Sequence, residues 1–150
     1  MNETIIDIIT GMLAPGIMIS ACGLLLLGMN NKYSLVANRI RTLNNEIRQL
    51  DNNNNNERKD SILIQLPLLI ERIKIIRNAV WFYTIGIAMF IFSTFFLGVY
   101  FINGKTFLPS VVALTIFIIG LFSVLFGVFH AAKEVRLGYK ILQIETKNID

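Results

Sequence analysis

Cysteine, acidic residues and recognisable catalytic motifs are all scarce in this sequence, and each scarcity excludes a class of protein. A single cysteine, Cys22, leaves no internal disulfide framework. There is no Gly-rich phosphate loop, no metal-ligand spacing and no nucleophile motif. No acid–base pair lies within an apolar run. His130 stands alone at the inner end of the last one, where interfacial packing accounts for it. We therefore expect no enzyme, no cofactor and no metal. The formal charge of +4 is too small, and too tied to the flanks of apolar runs, to argue for nucleic acid.

Charge itself is short. Soluble domains carry roughly a quarter charged residues; here the share is 16%, beside 54% hydrophobic residues and a mean hydropathy of +0.59. The deficit falls in blocks. Residues 8–29, 79–102 and 108–129 hold no charge. Crossing the ~30 Å hydrocarbon core takes about 20 predominantly apolar residues, so each block is long enough to span. A small soluble chain could not cover three such helices. The expected class is an all-α membrane protein with three transmembrane helices, its first partner being the lipid bilayer.

Basic residues set the expected topology. None precedes the first span, where Glu3 and Asp7 lie. Nine fall between the first and second spans, from Lys32 to Arg77, only Lys105 falls between the second and third, and four follow the third. Lysine and arginine stay cytoplasmic, so the N-terminus is expected outside and the C-terminus inside, in a bacterial inner membrane. Trp81, Phe82 and Tyr83 open the second span and Tyr100 and Phe101 close it, as interfacial aromatics do. A turn at 103–108, with Pro109 at the start of the third helix, makes the last two spans an antiparallel hairpin.

Ile19-Ser20-Ala21-Cys22 has the look of a lipobox. A signal peptide wants a basic start and a polar continuation. This start is acidic, and Leu24 to Met29 carry the apolar run past the cysteine, so Cys22 is expected to be a packing residue.

Between the first and second spans, Val36, Ile40, Leu43, Ile47 and Leu50 follow steps of four and three, and Ile62, Leu66, Leu69, Ile73, Ile76 and Val80 repeat the pattern. The tract Asp51-Asn52-Asn53-Asn54-Asn55-Asn56 between them reads as a solvated turn. Folding one seam onto the other gives a cytoplasmic antiparallel helical hairpin, coiled-coil-like, with Val36 opposite Ile76 and Leu43 opposite Leu69. Pro67 either kinks the returning helix or marks its start. Leu63, Ile64, Leu68, Ile70 and Ile75 lie off the seam, so this helix needs further neighbours. A C-terminal helix with Leu137, Ile141 and Ile144 can be one, and other copies of the chain can be more. The expected parts are 1–31 with the first span, 32–78 with the hairpin and its turn at 51–56, 79–132 with the second and third spans, and 133–150 as a cytoplasmic helix.

Within the first span, Gly16, Ser20 and Gly23 form a stripe of small residues, which lets helices approach closely in lipid. Asp7, Thr10, Gly11 and Ala14 share one face at helical spacing. In a ring of subunits they could line a pore with an acidic collar at its outer mouth, while the plainer reading of Asp7 is a headgroup-level helix cap. Arg72, Lys74, Arg77, Lys133 and Arg136 form an inner basic collar suited to anionic headgroups.

The stretch from Pro15 to Leu27, followed by Asn30-Asn31-Lys32-Tyr33 and Arg39-Ile40-Arg41, resembles a prokaryotic family of small membrane proteins described as domain of unknown function 2721. A later arginine-bearing helix leads into two more spans there, as Arg72 and Arg77 do here. Lys32 stands where the pattern has arginine, and the asparagine tract is a local insertion. The resemblance supports the architecture and implies no activity. Two functions follow as expectations. One is a homo-oligomeric membrane assembly, with an ion-conducting pore along the first spans as its sharper form. The other is a non-conducting scaffold or regulatory subunit that binds a membrane protein partner or anionic lipid through its cytoplasmic helices.

Overall fold

The computed structural model describes residues 2–50, 56–102 and 106–147, with side chains outside the description at 2–5, 7–8, 56–57 and 140–147. The described residues form three helices, α1 (Asn2–Leu50), α2 (Asn56–Ile102) and α3 (Phe107–Lys147). They hold 49, 47 and 41 residues, far beyond the about 20 that a span requires. All three are long and apolar enough to cross a membrane, so the chain is read as a multi-pass membrane protein. The asparagine tract at 51–55 and residues 103–105 of the expected turn lie outside the described residues. Pro67 sits inside α2, which begins well before it, so the proline does not start the helix.

The chain divides into two compact units, and each helix contributes to both. The first takes Met1–Leu27 and Val80–Gly127. Its surface is that of a protein in lipid: large apolar groups lie outside, and the interior combines small and polar groups with the Tyr83 and Phe90 rings. Cys22, Ser93 and Ala113 are buried, while Leu24, Phe95, Phe122 and Ile91 face outward. Water would penalise so much apolar exposure; acyl chains do not. Without a hydrophobic drive between helices in lipid, close backbone approach holds them together, and glycine permits it. A Cβ on Gly86 would lie 2.6 Å from the Val124 side chain, one on Gly120 2.9 Å from the Phe90 ring, and one on Gly127 2.7 Å from the Tyr83 ring. The order of these contacts makes α2 and α3 antiparallel here. Phe90 stacks against Phe117 at 5.3 Å in the same seam.

Hydroxyls in the apolar runs could all be expected to bond back to their own helix. Thr84, Thr94 and Thr115 do, donating to Val80, Phe90 and Val111 carbonyls. Ser93 and Ser123 depart from this. Ser93 Oγ donates across to the Ala113 carbonyl at 2.9 Å, and Ser123 Oγ to the Phe82 carbonyl at 2.8 Å. Both serines are buried in the α2–α3 seam, where the glycines bring a foreign carbonyl within reach. Cys22 is buried, as a packing residue would be.

The second unit takes Gly28–Ala79 and Val128–Asp150. Val36, Leu43, Ile62, Leu69 and Ile76 are buried in its core. Arg58 Nε donates to Glu46 at 2.7 Å, tying the end of α1 to the start of α2. Val36 shares a groove wall with Leu69 and Arg72. Ile75, one of the off-seam residues, is buried, and its groove includes Leu137 of α3. Leu63, Ile64 and Ile70 remain exposed. Ile141 and Ile144 have side chains outside the description.

Candidate functional site

The most heavily built polar feature lies in the second unit and draws on all three helices. Glu134 of α3 is a carboxylate with no solvent exposure. Burying an ionised group is costly unless it is paired and hydrogen-bonded. Lys32 of α1 donates from Nζ to Oε2 at 2.8 Å. Arg72 of α2 donates from Nε to Oε1 at 2.7 Å, with Nη2 at the same distance from that oxygen. Both carboxylate oxygens are thus engaged, each by a different helix. Glu134 lies beyond the uncharged stretch that ends at Phe129. Burial pushes its carboxyl up, but the hydrogen bonds from Lys32 and Arg72, together with their charges, outweigh this and hold it below the ordinary carboxylate range.

One turn further along α3, Gly138 completes the seat. A Cβ there would stand 3.2 Å from the Arg72 Cζ and Nη2 atoms, so the bare backbone lets the guanidinium lie close over α3. The cluster carries two cations against one anion. The side chain of Lys32 is 40% exposed and that of Arg72 26%, so each keeps a solvent-facing side. Among the described residues no three of His, Cys, Asp and Glu come together as metal ligands. The cluster can pin three helices in register and present positive charge, and its lysine and glutamate are engaged with each other.

The sequence-predicted residues fall at several places. Arg72 belongs to the cluster. Lys74 and Arg77 are exposed, and Lys133 and Arg136 are exposed beside a groove that also holds Glu71. Thr10 and Ala14 are exposed, whereas a Cβ built on Gly11 would stand 3.4 Å from the Phe101 ring. The side chain of Asp7 lies outside the description. Gly16 and Gly23 have nothing within 4 Å of a built Cβ, and Ser20 is exposed. The structure therefore does not use the small-residue stripe for packing within the described chain. Sequence reasoning missed Glu134. A signal existed: it is the first acid after the third apolar run, set between Lys133 and Arg136.

Residues 12–144 match the family described as Protein of unknown function (DUF2721). The chain belongs to this family. No curated protein and no solved structure matches it. The DUF2721 match takes in Lys32, Arg72 and Glu134, and begins after Asp7, Thr10 and Gly11. The resemblance read from the Pro15–Leu27 and Arg39–Arg41 stretches is thereby confirmed, and the family brings no activity with it.

Proposed function

We propose that this DUF2721 protein is a three-span protein of the bacterial inner membrane that assembles with copies of itself through the first span. Its N-terminus lies outside, and the helical hairpin and C-terminal helix lie in the cytoplasm. It performs no reaction. One observation carries the assembly: the small residues of α1 turn away from the chain's own packing. Pro15, Cys22 and Met29, each a heptad apart, are buried. At 3.6 residues per turn, Gly16 and Ser20 fall off that line, and they border an open groove of about 580 Å³ with Ile17 and Leu13. In the α2–α3 seam, by contrast, Gly86, Gly120 and Gly127 each have a neighbour closer than 3.0 Å to a built Cβ. A glycine left bare on a membrane helix suits a second helix.

Gly16→Leu with Gly23→Leu is expected to reduce the assembly to smaller species, read by native mass spectrometry of the detergent-purified protein. Unchanged subunit number would refute the interface. The pore form adds conduction along Asp7, Thr10, Gly11 and Ala14. Absence of ion flux in liposomes, with Asp7→Asn equally silent, would remove conduction and leave the assembly standing.

A second reading is favoured by the exposure of Leu63, Ile64 and Ile70 on α2. These residues, with Lys74 and Arg77 following them in sequence and Lys133 and Arg136 sharing a groove with Glu71, suit a scaffold or regulatory subunit that binds a membrane protein partner or anionic lipid. Recovery of the chain alone from native membranes would argue against the protein partner.

A further inference from the structure

Lys133 and Arg136 stand three residues apart on α3, and Glu71 and Ile75 four apart on α2, so each pair shares one helix face. With Leu137, these residues line a cavity of about 230 Å³ between the two helices. Lys133, Arg136 and Glu71 are exposed, and Ile75 is buried. The groove is therefore dipolar. It has two cations on one helix, one carboxylate on the other, and an apolar part made by Ile75 and Leu137. The neighbouring acid on α3, Glu134, does not balance these cations, because Lys32 and Arg72 engage both its oxygens. Glu71 does not close on them either: among the described residues it forms no ion pair with Lys133 or Arg136.

We infer that this groove seats the headgroup of a zwitterionic phospholipid with a primary ammonium, phosphatidylethanolamine. The Arg136 guanidinium and the Lys133 ammonium donate to the phosphate oxygens, and the Glu71 carboxylate accepts from the lipid ammonium. The order of the charges along the helices fits this occupant. Lys133 and Arg136 follow the uncharged stretch that ends at Phe129 by four and seven residues, about 6 and 10 Å of helix. Glu71 precedes the stretch that begins at Ala79 by eight residues, about 12 Å. In the lipid the phosphate is joined to the glycerol and the ammonium lies beyond it, further into water. Phosphatidylglycerol brings no cation for Glu71, and its charge would be repelled there. The inference rests on the reading that these residues lie at the inner membrane surface. It depends neither on the subunit number nor on a protein partner.

The test uses the full chain purified in detergent. Phosphatidylethanolamine, phosphatidylglycerol and phosphatidylcholine are added in equal amounts, and retained molecules are counted by native mass spectrometry. Wild type is expected to retain phosphatidylethanolamine over both others, since the choline group has no N–H to donate to Glu71. Glu71→Gln should cut the advantage of phosphatidylethanolamine over phosphatidylglycerol by about fivefold, the upper end for an exposed ion pair. Lys133→Gln with Arg136→Gln should lower the retention of all three lipids. The replaced side chains are exposed, so these variants leave the core in place. Asp60→Asn removes an exposed acid outside the groove and should leave the lipid ratio unchanged. An unchanged ratio in Glu71→Gln overturns the site, as does an equal shift in Asp60→Asn, which would mean diffuse surface charge. A wild-type preference for phosphatidylglycerol also overturns it and leaves the anionic-lipid reading standing; retention of no lipid overturns both. Displacement by millimolar glycerophosphoethanolamine, the same headgroup without acyl chains, would replace the lipid with a soluble phosphate ester as the occupant. Retention undisturbed by that compound supports the lipid.

Discussion

Glu134→Gln is expected to lower the unfolding free energy by about 3 kcal/mol, the lower end for breaking a buried ion pair from one side. The loss arises because Lys32 and Arg72 would keep their charges and lose the acid that balances them. Lys32, with 40% of its side chain in solvent, can rehydrate, which limits the loss. Replacing all three residues together, as Lys32→Met, Arg72→Met and Glu134→Leu, should restore much of the stability, since a well-packed apolar set often equals a buried ion cluster. Denaturant unfolding in a fixed detergent measures both. A Glu134→Gln variant as stable as wild type would show that the cluster does not hold the helices. The pH dependence has a definite sign. The folded-state pKa of Glu134 is lowered from the ordinary 4.5, so its stabilisation is complete above that value. It is lost as the pH falls through the lower folded value. Wild type should lose this increment only below the ordinary carboxylate range, and Glu134→Gln should lack that part of the pH profile.

The second large effect concerns the glycines of the α2–α3 seam. Gly127→Ala is expected to cost about 2 kcal/mol, in the range of overpacking a close contact. Its new methyl would fall 2.7 Å from the Tyr83 ring, which is itself fully buried. Gly28→Ala is expected to have the opposite sign. Nothing lies within 4 Å of its Cβ, so only the helix preference of alanine acts, up to ~1 kcal/mol of gain. Thermal unfolding of the two variants side by side checks this pair. A stabilised Gly127→Ala would mean that the seam is looser than described.

The spans could be read from sequence because hydrocarbon tolerates little charge. Residues 79–102 and 108–129 announce themselves without any knowledge of packing. The hydrophobic steps of Val36, Leu43, Ile62 and Leu69 likewise marked residues that prove buried, because a helix core face repeats locally. The pairing of one seam with the other was less legible. Heptad steps are equally satisfied when a helix slides by one repeat, so they mark buried positions without fixing which residue faces which. Glu134 was hidden for a different reason. Its partners are 102 and 62 residues away in sequence, and an acid between two cations reads locally as a solvated face. Gly127 and Gly86 were hidden inside long apolar runs, where nothing local distinguishes a glycine at a close contact from one facing lipid. The stripe at Gly16 and Gly23 was conspicuous by spacing, yet it faces open space. Spacing alone marks a surface fit for approach without saying which helix approaches.

The arrangement of the chain across the bilayer is tested most directly by thiol labelling of intact cells with an impermeant reagent. In a Cys22→Ser background, Asn103→Cys should be labelled from outside, while Asn53→Cys should react only after the membrane is permeabilised. Labelling of Asn53→Cys in intact cells, or protection of Asn103→Cys until lysis, would contradict three spans with the basic segments on the inner side.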